Sequence, residues 1–182
     1  MAFDTGPGNM IIDALVYVLT AGAETFDRDA ERASRGSVRK EVLDWCMSDP
    51  YFQLKPPKTT GRERFGRQFA RRIVERFGDL PPDDLVATAT AFTAESIAHA
   101  YENFIGRNVD EMIIAGGGAK NPMIVKTLRE RLPRTEIRVY EHLQEKEAMA
   151  MALIANDSLG GLPTNVPTAT GGQPAILGKI CL

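Results

Sequence analysis

The chain has 182 residues, enough for one domain with its own core, and its 43% hydrophobic and 25% charged content is that of an ordinary soluble globular protein. A formal net charge of -2 leaves no basic excess to neutralise phosphates, which argues against nucleic acid or an anionic membrane surface as a partner. No apolar run approaches the roughly 20 residues that span a bilayer, and two distant cysteines, Cys46 and Cys181, fit no metal or redox spacing and point to the cytoplasm. The start, Met1-Ala2-Phe3-Asp4, has no basic leader, and a motif-rich segment begins at once, which reads as a truncated start.

In chain order, Phe3-Asp4-Thr5-Gly6-Pro7-Gly8-Asn9 reads as a strand end, a tight turn and a helix cap, with Asn9 accepting from the free amides of the next turn. Residues 10–20 are apolar nearly all round, predicting a helix buried on most faces and ending near Gly22. Short helices are expected over 27–35 and 37–47, broken by Pro50, Pro56 and Pro57. A loop over 55–63 then leads into a basic helix over 65–77. Pro81 and Pro82 suit the opening of a helix running to about Ile105, with Leu85, Ala89, Phe92, Ile97 and Tyr101 inward and Gly106 at its end.

From Glu111 the texture becomes α/β. A buried strand over 111–115 meets Gly116-Gly117-Gly118-Ala119, and Asn121-Pro122 caps and opens a helix. A short strand over 137–140 follows. The helix over 145–156 carries Ala148, Met149, Met151 and Ala152 on an apolar side expected to pack in the core, and the Gly-, Pro- and Thr-rich tail from Gly160 is irregular. Three strand candidates make a thin sheet for so many helices, so an exposed sheet edge and uncovered apolar surface on the first helix are expected.

Three segments carry chemistry. Glycines at the end of a buried strand, beside a helix N-terminus, let a ligand approach the backbone; the same pattern serves equally as a βα turn with no ligand. Gly116, Gly117, Gly118 and Asn121 fit neither the Walker nor the dinucleotide pattern. Asp4, at the head of a Thr-Gly-Pro-Gly turn, is placed either to take a proton from water or a hydroxyl or to cap the turn. Lys58-Thr59-Thr60-Gly61-Arg62-Glu63 offers hydroxyls and a guanidinium to a carboxylate, phosphate or sugar, or simply starts a helix. His99 and His142 have no partner at metal-ligand spacing and read as structural or surface residues.

Taken together, Phe3 to Asn9 with Asp13, Pro50-Tyr51-Phe52, Pro56 to Glu63, Gly116 to Pro122, Glu147 to Ala150 and Gly161 to Ile180 resemble, in order, segments of the anhydro-N-acetylmuramic acid kinase family. The resemblance implies an α/β fold, the C-terminal portion of an actin-like ATPase (ribonuclease H-like) sugar kinase, spanning 1–182 as one domain with a helical segment over 23–106 between its strands. It implies an ATP-dependent enzyme that opens a 1,6-anhydro bridge with water and phosphorylates the freed 6-oxygen, in amino-sugar recycling. Asp4 would be the general base. Gly116, Gly117, Gly118 and Asn121 would hold the adenosine end of ATP, and Thr5, Gly6, Asn9, Lys58, Thr59, Arg62 and Glu147 would lie on the substrate side. The family's phosphate loops and Mg²⁺ ligands belong to an upstream half, and the stretch at 141–145 is shorter than is usual in the family. The expected partners are an anhydro-sugar and ATP, with a homodimer left open. Fungal levoglucosan kinase is similar to the same family, so a fragment of such an enzyme stands as an alternative, as does a non-catalytic sugar- or nucleotide-binding module.

Overall fold

A computed structural model describes residues 1–105, 109–140 and 145–178. Its helices are Met10–Leu19 (α1), Glu31–Arg35 (α2), Lys40–Met47 (α3), Arg62–Phe65 (α4), Arg67–Phe77 (α5), Pro82–Ala100 (α6), Pro122–Arg131 (α7), Lys146–Leu159 (α8) and Pro167–Thr170 (α9). Two strands, Glu111–Ile114 (β1) and Glu136–Val139 (β2), short 3-10 turns at Arg28–Ala30, Pro50–Gln53 and Gly117–Lys120, and a π-turn at Tyr101–Ile105 complete the described elements. The protein is mixed α/β, rich in helix, with a small parallel sheet.

The core is assembled around α6. Pro82 stands in its first turn, where a missing amide costs nothing, and Asp83 and Asp84 there favour the positive end of the helix dipole. Every residue from Asp84 to Ala94 is buried. The small side chains of Ala87, Ala91, Ala94 and Ala98 allow neighbouring helices close, and α1, α2, α3 and α7 all pack against α6. Its buried hydroxyls are satisfied by bonding back one turn: Thr88 donates to the Asp84 carbonyl at 2.7 Å and Thr90 to that of Val86 at 2.9 Å.

Beside α6 lies an aromatic cluster. Phe52, Phe65, Phe69 and Phe92 are fully buried, and Phe69 stacks on Phe92 with ring centroids 6.0 Å apart. The α2–α3 segment is fastened to the start of α6 by charge. Arg32 and Arg35 pair with Asp83, and Arg39 and the Ser37 amide converge on Asp84. Gly36 is required there, because a Cβ at that position would fall 2.0 Å from the Asp83 carbonyl oxygen.

β1, α7 and β2 form a βαβ unit, with Met112 opposite Ile137 and Ile114 opposite Val139. Asn121 caps α7 as the sequence predicts: its Oδ1 accepts from the Met123 amide at 3.0 Å and the Ile124 amide at 3.2 Å. Ile137 is buried, whereas Ile113 on the other face is 60% exposed.

Several expectations are corrected. Residues 1–5 form no strand, because no ladder partner lies beside them among the described residues, where the Asp4 amide donates to the Lys58 carbonyl at 3.1 Å. Asn9 does not accept at the N-cap of α1; its backbone is already helical, and its Nδ2 donates to Asp13 Oδ2 at 3.2 Å. The basic helix is split into α4 and α5 at Gly66. The long helix ends as α at Ala100 and closes in a single π-turn over Tyr101–Ile105; Gly106 lies outside the described residues. The core-facing side of α1 is covered, with Ile11, Ile12, Leu15 and Val16 buried. Conversely, α8 buries none of its residues, so Met149 and Met151 are surface side chains. Of the shortened stretch at 141–145, only Glu145 lies within the described residues.

Candidate active site around Asp4

Asp4 and the Lys58–Glu63 loop, more than 50 residues apart in sequence, meet directly. Asp4 Oδ2 accepts from the Thr59 hydroxyl at 2.7 Å and from the Thr60 amide at 3.0 Å. Its main-chain carbonyl accepts from the Tyr51 hydroxyl at 2.6 Å. The carboxylate is exposed, and Oδ1 takes no donor among the described residues. One oxygen is therefore held and the other is open, the arrangement a general base needs to orient a water.

Behind the carboxylate, Gly6 lies against α6, where a Cβ would fall 2.6 Å from Ser96 Oγ. Gly8 adopts φ +57°, and its carbonyl accepts from Thr93 Oγ1 at 2.7 Å. Thr5 is half-buried beside Asp4.

Lys58 is buried, with its ammonium 4.6 Å from the Tyr51 ring centroid, 4.7 Å from that of Phe104, and 3.3 Å from the Tyr51 carbonyl. Burial pushes its pKa down from the ordinary lysine value. Burial, and then the Asp4 charge, raise the Tyr51 phenol, which keeps it a donor at neutral pH.

The glycine turn reaches the same region from the other side. Gly116 has φ +86° with open space where a Cβ would stand. Cβ positions at Gly117 and Gly118 would lie 3.6 Å and 4.0 Å from atoms of Asn9, so the turn rests directly on the motif that begins at Asp4. Two cavities meet here, with Asp13 and Thr25 lining both. One, of about 480 Å³, is bounded by Asn9, Gly117, Lys120 and Asn121. The other, of about 710 Å³, is bounded by Tyr17, Arg62, Glu63 and Arg67. Asp13 is raised above the usual carboxylate value by burial, against the opposing pull of Arg62 and the hydrogen bond from Asn9.

Structure thus brings Asp4 to Thr59 and Thr60, and Asn9 to the glycine turn, with Arg62 only two residues beyond Thr60, about 7 Å at most along the chain. It does not join Glu147 to them: that residue is exposed on the first turn of α8, with no hydrogen bond or ion pair to the loop or the glycine turn among the described residues. Asn121 reaches the cavity with its side-chain oxygen engaged in capping α7. Tyr51 and Thr60 also touch Asp4; the sequence marks Thr60 only as part of the Lys58–Glu63 loop and Tyr51 only as part of a family motif, and neither shows a periodicity or spacing that would reveal a partner so far along the chain. Cys46, by contrast, is a core thiol whose pKa burial pushes up to about 12, far from that of a reactive thiolate.

The family model for anhydro-N-acetylmuramic acid kinase matches residues 1–182, the whole chain. The chain belongs to the anhydro-N-acetylmuramic acid kinase family. A protein of that name from Caldanaerobacter subterraneus is 43% identical over 191 residues, covering 100% of this chain and 48% of its own length. Another, from Bacillus cereus strain AH820, is 41% identical, covering 99% of this chain and 49% of its own. The chain therefore spans about half the length of the curated relatives it matches. Levoglucosan finds no support in these names. Among the described residues no three His, Cys, Asp or Glu side chains gather where they could hold a metal ion, and no helix is long and apolar enough to cross a membrane.

Proposed function

We propose that this chain supplies the general base and the adenosine-side turn of an ATP-dependent kinase of anhydro-N-acetylmuramic acid, built on an actin-like sugar-kinase fold. The observation that carries the reading is the convergence of the Thr59 hydroxyl and the Thr60 amide on one oxygen of Asp4, with the other oxygen open. Asp4 takes a proton from water as that water's oxygen bonds to the anomeric carbon. The bond from that carbon to O6 breaks, and O6 takes the γ-phosphoryl group of ATP as that group's bond to the β,γ-bridging oxygen breaks and ADP leaves. A positioned carboxylate contributes on the order of 10²- to 10⁴-fold to such a step.

The glycine turn fits an adenosine moiety, since open space above Gly116 lets a flat ring system approach the backbone. Arg62, at the edge of the larger cavity, is assigned to the sugar side, together with Thr5, Gly6 and Asn9. Thr59 touches the base itself. Mg²⁺ and the β- and γ-phosphates are assigned to the half of the relatives' length that this chain does not span. The reading extends to a cytoplasmic setting and to self-association through exposed apolar surface.

The test is a hybrid in which this chain replaces the matching half of the Caldanaerobacter relative, assayed for ATP-dependent phosphorylation of anhydro-N-acetylmuramic acid and levoglucosan. Turnover of the acid sugar that Asp4→Asn lowers at least 10²-fold is the expected result. Undiminished turnover in Asp4→Asn overturns the base assignment. Sugar or nucleotide binding without turnover favours a non-catalytic binding module.

A further inference from the structure

Two residues that the reaction does not consume, Tyr51 and Lys58, form a closed circuit with Asp4. The Lys58 ammonium donates to the Tyr51 carbonyl at 3.3 Å, the Tyr51 hydroxyl donates to the Asp4 carbonyl at 2.6 Å, and the Asp4 amide donates to the Lys58 carbonyl at 3.1 Å. Each member therefore fixes the next. The circuit is anchored in the core, because the Tyr51 ring is buried edge-to-face against Phe52 and Phe65 at 5.8 Å and 5.7 Å. The Lys58 ammonium lies over the Tyr51 and Phe104 rings, which share its charge with the Tyr51 carbonyl and leave the side chain buried. Thr59, the next residue, carries the constraint to the carboxylate by donating to Oδ2 at 2.7 Å.

We propose that Tyr51, Lys58 and Thr59 are positioning residues for the Asp4 base, and that Lys58 acts from behind the carboxylate without touching the sugar. This deepens the proposed function and rests on its reading of Asp4 as the base. A backbone tied at both its amide and its carbonyl, with one carboxylate oxygen pinned, holds Oδ1 in one place. A displacement of about 1 Å at a reacting group can cost on the order of 10²-fold in rate. Loss of one member of the circuit should therefore act on turnover and leave sugar affinity alone.

The experiment pairs steady-state kinetics of the hybrid with amide hydrogen exchange in the chain itself. Tyr51→Phe removes one hydroxyl and keeps the buried ring. It should lower kcat about 10- to 100-fold, with KM for the sugar unchanged within about twofold, and speed exchange of the Asp4 amide. Thr59→Val should lower kcat similarly, and Thr59→Ser should restore it. Lys58→Met, which keeps the stem in its aromatic surroundings, should also act on kcat. A Lys58→Met variant with normal kcat and a raised sugar KM assigns Lys58 to the substrate and overturns the proposal. So does Tyr51→Phe with wild-type kcat or wild-type Asp4 exchange. Should Lys58→Met not fold, Tyr51→Phe and the Thr59 pair decide. Should Asp4→Asn remain fully active, the base reading fails, and Asp4 exchange in Tyr51→Phe still decides whether the circuit holds that residue.

Discussion

Phe92 and Leu153 are both apolar residues in long helices, yet Phe92 is 0% exposed and Leu153 is 65% exposed. Around Phe92, α6 meets α1, α2, α3 and α7, four phenylalanines interlock, and the buried threonine hydroxyls are bonded within the helix. Around Leu153 nothing comparable forms among the described residues: α8 buries no residue, Ile113 faces outward from the sheet, and the tail leaves Leu162, Val166 and Ile176 exposed. The contrast teaches that an apolar stripe specifies which face of an element wants cover, while the cover itself depends on what the rest of the fold brings to that face.

The sharpest way to break this comparison is truncation on both sides. Phe92→Ala should cost about 3–5 kcal/mol in a denaturant titration, the range for a large aromatic deleted from a close-packed core. Leu153→Ala should stay within about 0.5 kcal/mol, as surface changes do. Equal losses would mean that the two regions are packed alike. Next in size is the joint between them. Asn121→Ala removes both capping bonds of α7 and should cost about 1 kcal/mol, read from the same titration.

Acid sensitivity sharpens the picture of the helical half. The Ser37 amide and then Arg39 hold the Asp84 carboxyl below the ordinary carboxylate value. A depressed folded value means that the stabilisation is complete above the unfolded pKa of about 3.9 and is lost as pH falls through the folded value. Melting temperature should therefore decline on acidification below about pH 4, and the decline should be shallower in Asp84→Asn. An identical slope would show that Asp84 is not linked to folding. The smallest effect on stability is expected for Leu153→Lys, which should still reduce concentration-dependent association in sedimentation. A native chain that is monomeric throughout would remove the exposed apolar surface as a cause of association.

Legibility in the sequence followed the range of the interaction. Asn121 and Pro122 announced α7 because a cap and a first-turn proline act within a few residues, and the apolar wrap of residues 10–20 announced a buried helix for the same reason. Asn9 shows the limit of such signals. It has the composition of a cap, but its side chain reaches Asp13 and sits beneath the glycine turn. Lys58 shows it again: its loop gives no sign that Tyr51, seven residues away, and Phe104, from a distant segment, bury its side chain.

Apart from the break at Gly66 that separates α4 from α5, the sequence by itself determined the elements from α1 to β2 to within a few residues, the glycine turn at the end of β1, and the family, because each rests on local hydrogen bonding, local sterics or an ordered series of short motifs. Only the tertiary structure decided that Asp4 is gripped by Thr59, Thr60 and Tyr51, that the core-facing side of α1 is covered while α8 buries no residue, and that residues 1–5 pair with no strand among the described residues. Those outcomes depend on groups tens of residues apart arriving at one point, and no local periodicity encodes where a chain will return.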